Sequence, residues 1–205
     1  ATRFDGDRSY LVTFLRIDPL WIVDMKDPSA PKLLGELEVP GWSTYMQPLG
    51  DRLVTIGIDN SNNWRVAVSL FDVADPAKPS LLSKVLLGEQ GSWSEANYDE
   101  KAFTVLPDAG TILVPYQGWS SNDWASAVQI IDLGRDTLRA RGRIDHSMQP
   151  RRADVLNDRI VSISGRDLLV VNAEDRDRPV TTASLELSWA VNRVFVAGDY
   201  LLEIE

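Results

Sequence analysis

Apolar residues fall in short runs of two to four, punctuated by Asp, Asn, Gly and Pro, and one such phrase returns four times. An apolar strand closes on Asp or Asn, a polar turn follows, and a second strand begins. The copies are Leu20-Trp21-Ile22-Val23-Asp24-Met25, Leu70-Phe71-Asp72-Val73, Ile130-Ile131-Asp132-Leu133 and Leu168-Leu169-Val170-Val171-Asn172-Ala173. The anchors at 24, 72, 132 and 172 are 48, 60 and 40 residues apart, a propeller-type period.

Each repeat predicts four short strands. Second strands such as Arg52-Leu53-Val54-Thr55-Ile56 and Arg159-Ile160-Val161-Ser162-Ile163 are β-branched and follow Gly-Asp or Asn-Asp pairs, which supply the positive φ of tight hairpins. Third strands carry the anchor. Two copies continue Asp-x-x-Asp-Pro-x-x-Pro, at 24–31 and 72–79, where proline forces the chain off the ladder and the aspartates can cap freed amides. Fourth strands, 33–39, 81–87, 138–144 and 181–187, alternate apolar and polar residues, as an outer strand with a solvated edge would. No ten-residue stretch has helical apolar spacing. The expected fold is all-β: a β-propeller of about four four-stranded blades plus part of a fifth, in preference to a β-sandwich, which needs no internal echo.

The units run roughly 1–40, 41–88, 89–144, 145–188 and an incomplete 189–205. The last stops after two strands while the first supplies its own first strand. The pattern therefore predicts part of a larger propeller, with homodimerisation through exposed blade edges as a way to cover bare flanks.

Composition narrows the function. A net charge of −9 without a basic stripe argues against nucleic-acid partners. No apolar run approaches the ~20 residues of a membrane-spanning helix, so no transmembrane segment is expected. Cysteine is absent, which removes disulfides, thiolate metal sites and a Cys nucleophile.

Several stretches carry a resemblance: Arg3-Phe4-Asp5-Gly6-Asp7-Arg8-Ser9-Tyr10-Leu11-Val12, Asp24-x-x-Asp27-Pro28-x-x-Pro31, Pro40-Gly41-Trp42-Ser43-Thr44-Tyr45 and Ser94-Glu95-Ala96-Asn97-Tyr98-Asp99-Glu100-Lys101-Ala102-Phe103. They resemble secreted bacterial proteins with a C-terminal β-propeller domain, a family distantly related to WD repeats. The resemblance is strongest over 3–115. It implies the fold and a secreted, cell-surface or periplasmic location in bacteria, and brings no activity with it. Glu100 stands where the resemblance leads us to expect His.

Candidate chemistry is sparse. Trp42, Trp93, His146 and Trp189 recur where a fourth strand hands over to the next first strand, a junction expected at the mouth of a propeller channel. There they could stack on sugars or grip apolar side chains, or simply plug gaps between blades. Trp64 and Trp124 end two polar loops, Asp59-Asn60-Ser61-Asn62-Asn63-Trp64 and Ser120-Ser121-Asn122-Asp123-Trp124, expected on the same face. In the first loop Asp59, Ser61 and Asn63 alternate as calcium ligands do, although the glutamate expected at the twelfth position is replaced by Leu70. No other cofactor is suggested. His146, the sole histidine, is too close in sequence to Asp145 and Ser147 for a triad with them, though a distant Ser or Asp could serve. Glu95, Asp99 and Glu100, with Asp154, are candidate carboxylates for glycoside hydrolysis. The reading is a non-enzymatic extracellular binding or scaffold module presenting a propeller face, with Glu95 among its ligand contacts, to a protein, peptide or glycan. The alternative is a glycan-active hydrolase using channel carboxylates.

Overall fold

The computed structural model describes residues 1–13, 18–61, 63–120, 123–188 and 193–204. The first sheet comprises β1 (Thr2–Asp5), β2 (Arg8–Val12), β3 (Asp18–Asp24) and β4 (Lys32–Val39), paired in that order and antiparallel. The second repeats the arrangement with β5 (Trp42–Leu49), β6 (Arg52–Asp59), β7 (Arg65–Asp72) and β8 (Ser80–Leu87). The third has five strands: β9 (Gln90–Trp93), β10 (Thr104–Leu106), β11 (Thr111–Ser120), β12 (Asp123–Leu133) and β13 (Leu138–Asp145). Two 3-10 turns, Glu95–Asn97 and Glu100–Ala102, interrupt its innermost strand, and both flanking pieces, β9 and β10, pair with β11. The fourth sheet holds β14 (Pro150–Leu156), β15 (Arg159–Ser164), β16 (Asp167–Asn172) and β17 (Val180–Glu186). A hairpin of β18 (Arg193–Ala197) and β19 (Tyr200–Ile204) follows. Four four-strand meanders plus two strands are the blades that the repeat predicts.

Period-2 alternation decides which neighbour each blade meets. Along β6, Leu53 points to a core shared with the first sheet (Tyr10, Leu20, Ile22), while Val54 and Ile56 join Phe103, Ile112 and Tyr116 of the third. On β11 the same split recurs: Ile112 and Val114 face back, and Leu113 packs forward with Val128, Ile130, Ile160 and Val171. Each interface buries residues from two sheets, so no blade of this kind is stable alone.

Three of the four anchors act as Asx-turn caps, while Asp132 instead accepts from Arg141 and Arg176. Asp24, Asp72 and Asn172 accept from the amides of Lys26, Ala74 and Glu174 at 2.9 Å. Asp27, Asp75 and Asp175 repeat this three residues on, at 3.0 Å. The pairing of each third strand with its fourth shifts register just before the anchor: at Ile22/Val23, Leu70/Phe71, Gln129/Ile131 and Val170/Val171. The resulting kink lets the capped turn of the next blade dock there. A Cβ on Gly142 would lie 2.6–2.7 Å from Pro179 and the carbonyls of Arg176 and Asp177, and Gly35 meets the Pro76 carbonyl in the same way.

Candidate functional site

Antiparallel meanders put all second-to-third turns and all blade-to-blade junctions at one end of the sheets. At that end the β6–β7 and β11–β12 hairpins carry tryptophan pairs. Trp64 meets Trp42 edge to face at 5.4 Å, and Trp119 meets Trp124 edge to face at 5.8 Å, directly across the β11–β12 ladder. Trp64, Trp119 and Trp124 remain 60, 49 and 54 % exposed. Trp93 stacks on Tyr98 at 5.9 Å.

Segment 88–92 ties the two hairpins together. The Glu89 amide donates to the Trp119 carbonyl (2.7 Å) and the Ser92 amide to the Trp64 carbonyl (3.1 Å). Gly118 has no Cβ, and one there would meet Ser92 at 2.7 Å, so β9 can lie flat on β11. The structure thus groups Trp42, Trp64, Trp93 and Trp124 at one end of the fold. Trp119 and Tyr98, which complete the aromatic set, were legible only as the first tryptophan of a Trp-x4-Trp hairpin and the tyrosine of an acidic turn. Trp189 lies outside the described residues.

His146 does not belong to that surface. Its side chain is wholly buried, with Nδ1 2.7 Å from Asp167 Oδ1 and Nε2 2.6 Å from Ser162 Oγ. A neutral ring donating to Asp167 and accepting from Ser162 satisfies both ends. The Ser164 hydroxyl donates to the same carboxylate at 2.7 Å. Burial raises the Asp167 pKa, but the hydroxyl of Ser164 and the ring of His146 outweigh it and hold the carboxyl below its usual range. The order Ser-His-Asp is that of a hydrolase, yet Ser162 has no exposed surface to offer a substrate. His146 therefore sits at its junction as a buried tie from β13 to β15 and β16.

Asp59 is likewise engaged by protein groups. Its Oδ2 accepts from Lys84 Nζ at 2.7 Å, while Oδ1 accepts from the amide and hydroxyl of Ser61. Burial raises its pKa, and Lys84 with Ser61 more than reverses that. The Asp59 carboxylate is thus paired with the Lys84 ammonium and caps Ser61. Among the described residues no three acidic or histidine side chains converge on a metal-sized space.

The channel carboxylates are also matched. Glu95 accepts from Gln149 Nε2 at 2.8 Å and lies 3.5 Å from the Arg151 guanidinium. Asp99 caps the Lys101 amide at 3.0 Å and pairs with Arg152 at 2.7 Å. The Lys101 amide first, and Arg152 against the effect of burial, keep Asp99 below the usual carboxylate range. Asp154 accepts from the amide of Val155 at 2.7 Å. A glycosidase acid needs the reverse shift.

A family model described as a beta propeller domain matches residues 1–164. The chain belongs to the beta propeller domain family. Over 103 residues this propeller is 43% identical to an uncharacterised protein of Methanocaldococcus jannaschii, covering 50% of this chain and 16% of the relative. Over 116 residues it is 35% identical to an uncharacterised protein of Archaeoglobus fulgidus, covering 56% of this chain and 18% of the relative. The propeller chain thus spans less than a fifth of either curated relative, and both relatives are archaeal. No helix among the described residues is long and apolar enough to cross a membrane.

Proposed function

We propose that this propeller is a non-enzymatic binding and scaffold module that works outside the cytoplasm, secreted or held at the cell surface or in a periplasm. It presents the end bearing its second-to-third hairpins to a protein, peptide or glycan. One observation carries the reading: Trp64, Trp119 and Trp124 stand about half exposed or more together at that end of an acidic protein, with Tyr98 exposed beside Trp93. The location rests on the resemblance to secreted propeller proteins. The ion pairing of Glu95 and Asp99 favours scaffold over turnover, because each carboxylate is already neutralised by a neighbouring blade.

Immobilised propeller, probed with random-peptide and glycan libraries, should return ligands that the Trp64→Ala/Trp124→Ala double variant fails to hold. Ligands kept equally by that variant would place the binding surface elsewhere. Protease shaving of intact cells that make the full-length protein should remove the domain; resistance would contradict the location.

A further inference from the structure

The part of the hairpin end shared by the second and third blades is narrow in its chemistry. Its described residues are Asp59, Asn60, Ser61, Asn63 and Trp64, then Gly88-Glu89-Gln90-Gly91-Ser92-Trp93, then Trp119, Ser120, Asp123 and Trp124. Together they contain four tryptophans and otherwise only Asp, Glu, Asn, Gln, Ser and Gly. None of these residues is a cation or aliphatic, and the cations nearby are already paired, Lys84 with Asp59 and, in the fourth blade's hairpin, Arg166 with Glu186. Phosphate-rich ligands need cations, and protein partners are usually met by mixed aliphatic, aromatic and Arg anchors. Flat indole faces among short amide, hydroxyl and carboxylate side chains suit a ligand with one polarised C–H face and a rim of hydroxyls. That ligand is a sugar ring.

The backbone is set up to present those indoles. Trp64 has φ +47 and Asn63 φ +58, a left-handed conformation that a bulky residue takes only where its surroundings impose it. Two contacts impose it: the edge-to-face packing on Trp42 and the hydrogen bond from the Ser92 amide to the Trp64 carbonyl. Trp119 is held from the other side by the Glu89 amide. Residues 89 and 92 are three apart, at most ~11 Å along an extended chain. The two indole pairs therefore flank a short floor of Glu89, Gln90, Gly91 and Ser92. Gly88 and Gly91 have φ of +72 and +54, and having no side chains they keep that floor low.

We propose that this saddle binds a neutral oligosaccharide, its pyranose rings stacked on Trp64 at one side and on the Trp119–Trp124 pair at the other, with hydroxyls meeting the floor. The assignment rests on the binding-face reading above and narrows it to one ligand class. The paired, strained presentation of the indoles makes the site preorganised, so binding requires no rearrangement of the hairpins.

The test is titration of the propeller chain with cellohexaose, chitohexaose, mannohexaose and xylohexaose, read by indole fluorescence and calorimetry. At least one should shift the emission to shorter wavelength and bind, with Trp64→Ala and Trp124→Ala each weakening it tenfold or more. Leu156→Ala, on the opposite end of the sheets, should bind as wild type does. Circular dichroism of the tryptophan variants should be unchanged, and Trp64→Phe should recover part of the affinity. If no hexasaccharide perturbs the indoles, the oligosaccharide assignment is overturned. A peptide-display selection then separates the two ideas. Peptides that need Trp64 and Trp124 would leave the binding face standing without the sugar, and selections indifferent to both tryptophans would remove the face as well. Affinity unchanged in both alanine variants would also overturn the proposed site.

Discussion

His146 and Tyr10 are both buried, yet their substitution should have opposite consequences. His146→Ala leaves the Ser162 hydroxyl and the Asp167 carboxylate without their shared partner inside the fourth blade. Unsatisfied buried groups of this kind cost about 1–3 kcal/mol each, so urea unfolding should lose roughly 2–4 kcal/mol. The Tyr10 hydroxyl, by contrast, has no hydrogen-bond partner among the described residues. Tyr10→Phe should be neutral or stabilise by up to ~1 kcal/mol in the same assay. Asp132 adds a pH signature. Burial raises its pKa, but Arg176 (2.5 Å) and Arg141 outweigh that and hold it below the usual value. A depressed carboxyl stabilises the fold above its unfolded pKa of ~3.9, and that contribution is lost as pH falls through the lower folded value. Thermal unfolding should therefore drop steeply below about pH 4, with Asp132→Asn destabilised near neutrality and less steep in acid.

Elements show why blades stack in one register. At Gly35 and Gly142 the fourth-strand kink receives the Asx-capped turn of the following blade, and the receiving residue must be small. Gly142 donates its amide to the Arg176 carbonyl at 2.8 Å, leaving no space for a methyl group. Gly142→Ala should cost about 1–3 kcal/mol through overpacking against backbone. Gly165→Ala is the control, since a Cβ there would meet only the end of Met148 at 3.8 Å. Paired unfolding curves check this: equal losses would show that the turn does not lock there. The same junction is clasped by charge, with Arg141 forked onto Asp177 at 2.6 and 2.8 Å while also holding Asp132. One blade earlier, Arg52 bridges Asp72 and Asp136. Strand ends and turns were readable from Gly, Asp, Asn and Pro because hairpin chemistry is local. The 3-10 turns at Glu95–Asn97 and Glu100–Ala102 were not, since they answer to capping by Ser94 and Asp99 within a strand that the repeat predicts as continuous.

At the scale of the whole molecule, apolar side chains among the described residues of β17, β18 and β19 are far more exposed than those of earlier strands. Val180, Leu185, Val194, Phe195, Val196, Leu201 and Leu202 are all about half exposed or more, unlike their counterparts in the first three interfaces. Flanks of this kind associate. Sedimentation of this 205-residue chain should show concentration-dependent dimers, and Val196→Lys with Leu201→Glu should shift the equilibrium towards monomer. A chain that stays monomeric at all concentrations would contradict edge pairing.

Much of the architecture was already present in the order of residues. Period-2 alternation, turn chemistry and the returning Asp phrase act over a few neighbours, and they specify a meander of four strands wherever they occur. Which side chains stay wet was decided only when blades met. His146 looks like a ring at the channel mouth until Ser162 and Asp167, 16 and 21 residues away, close over it. Asp59 looks like a calcium ligand until Lys84 reaches it from two strands on. Trp64 and Trp119, 55 positions apart, share one floor only because β9 lies on β11. Contacts between sheets depend on which face of each strand meets its neighbour, and no local pattern contains that information.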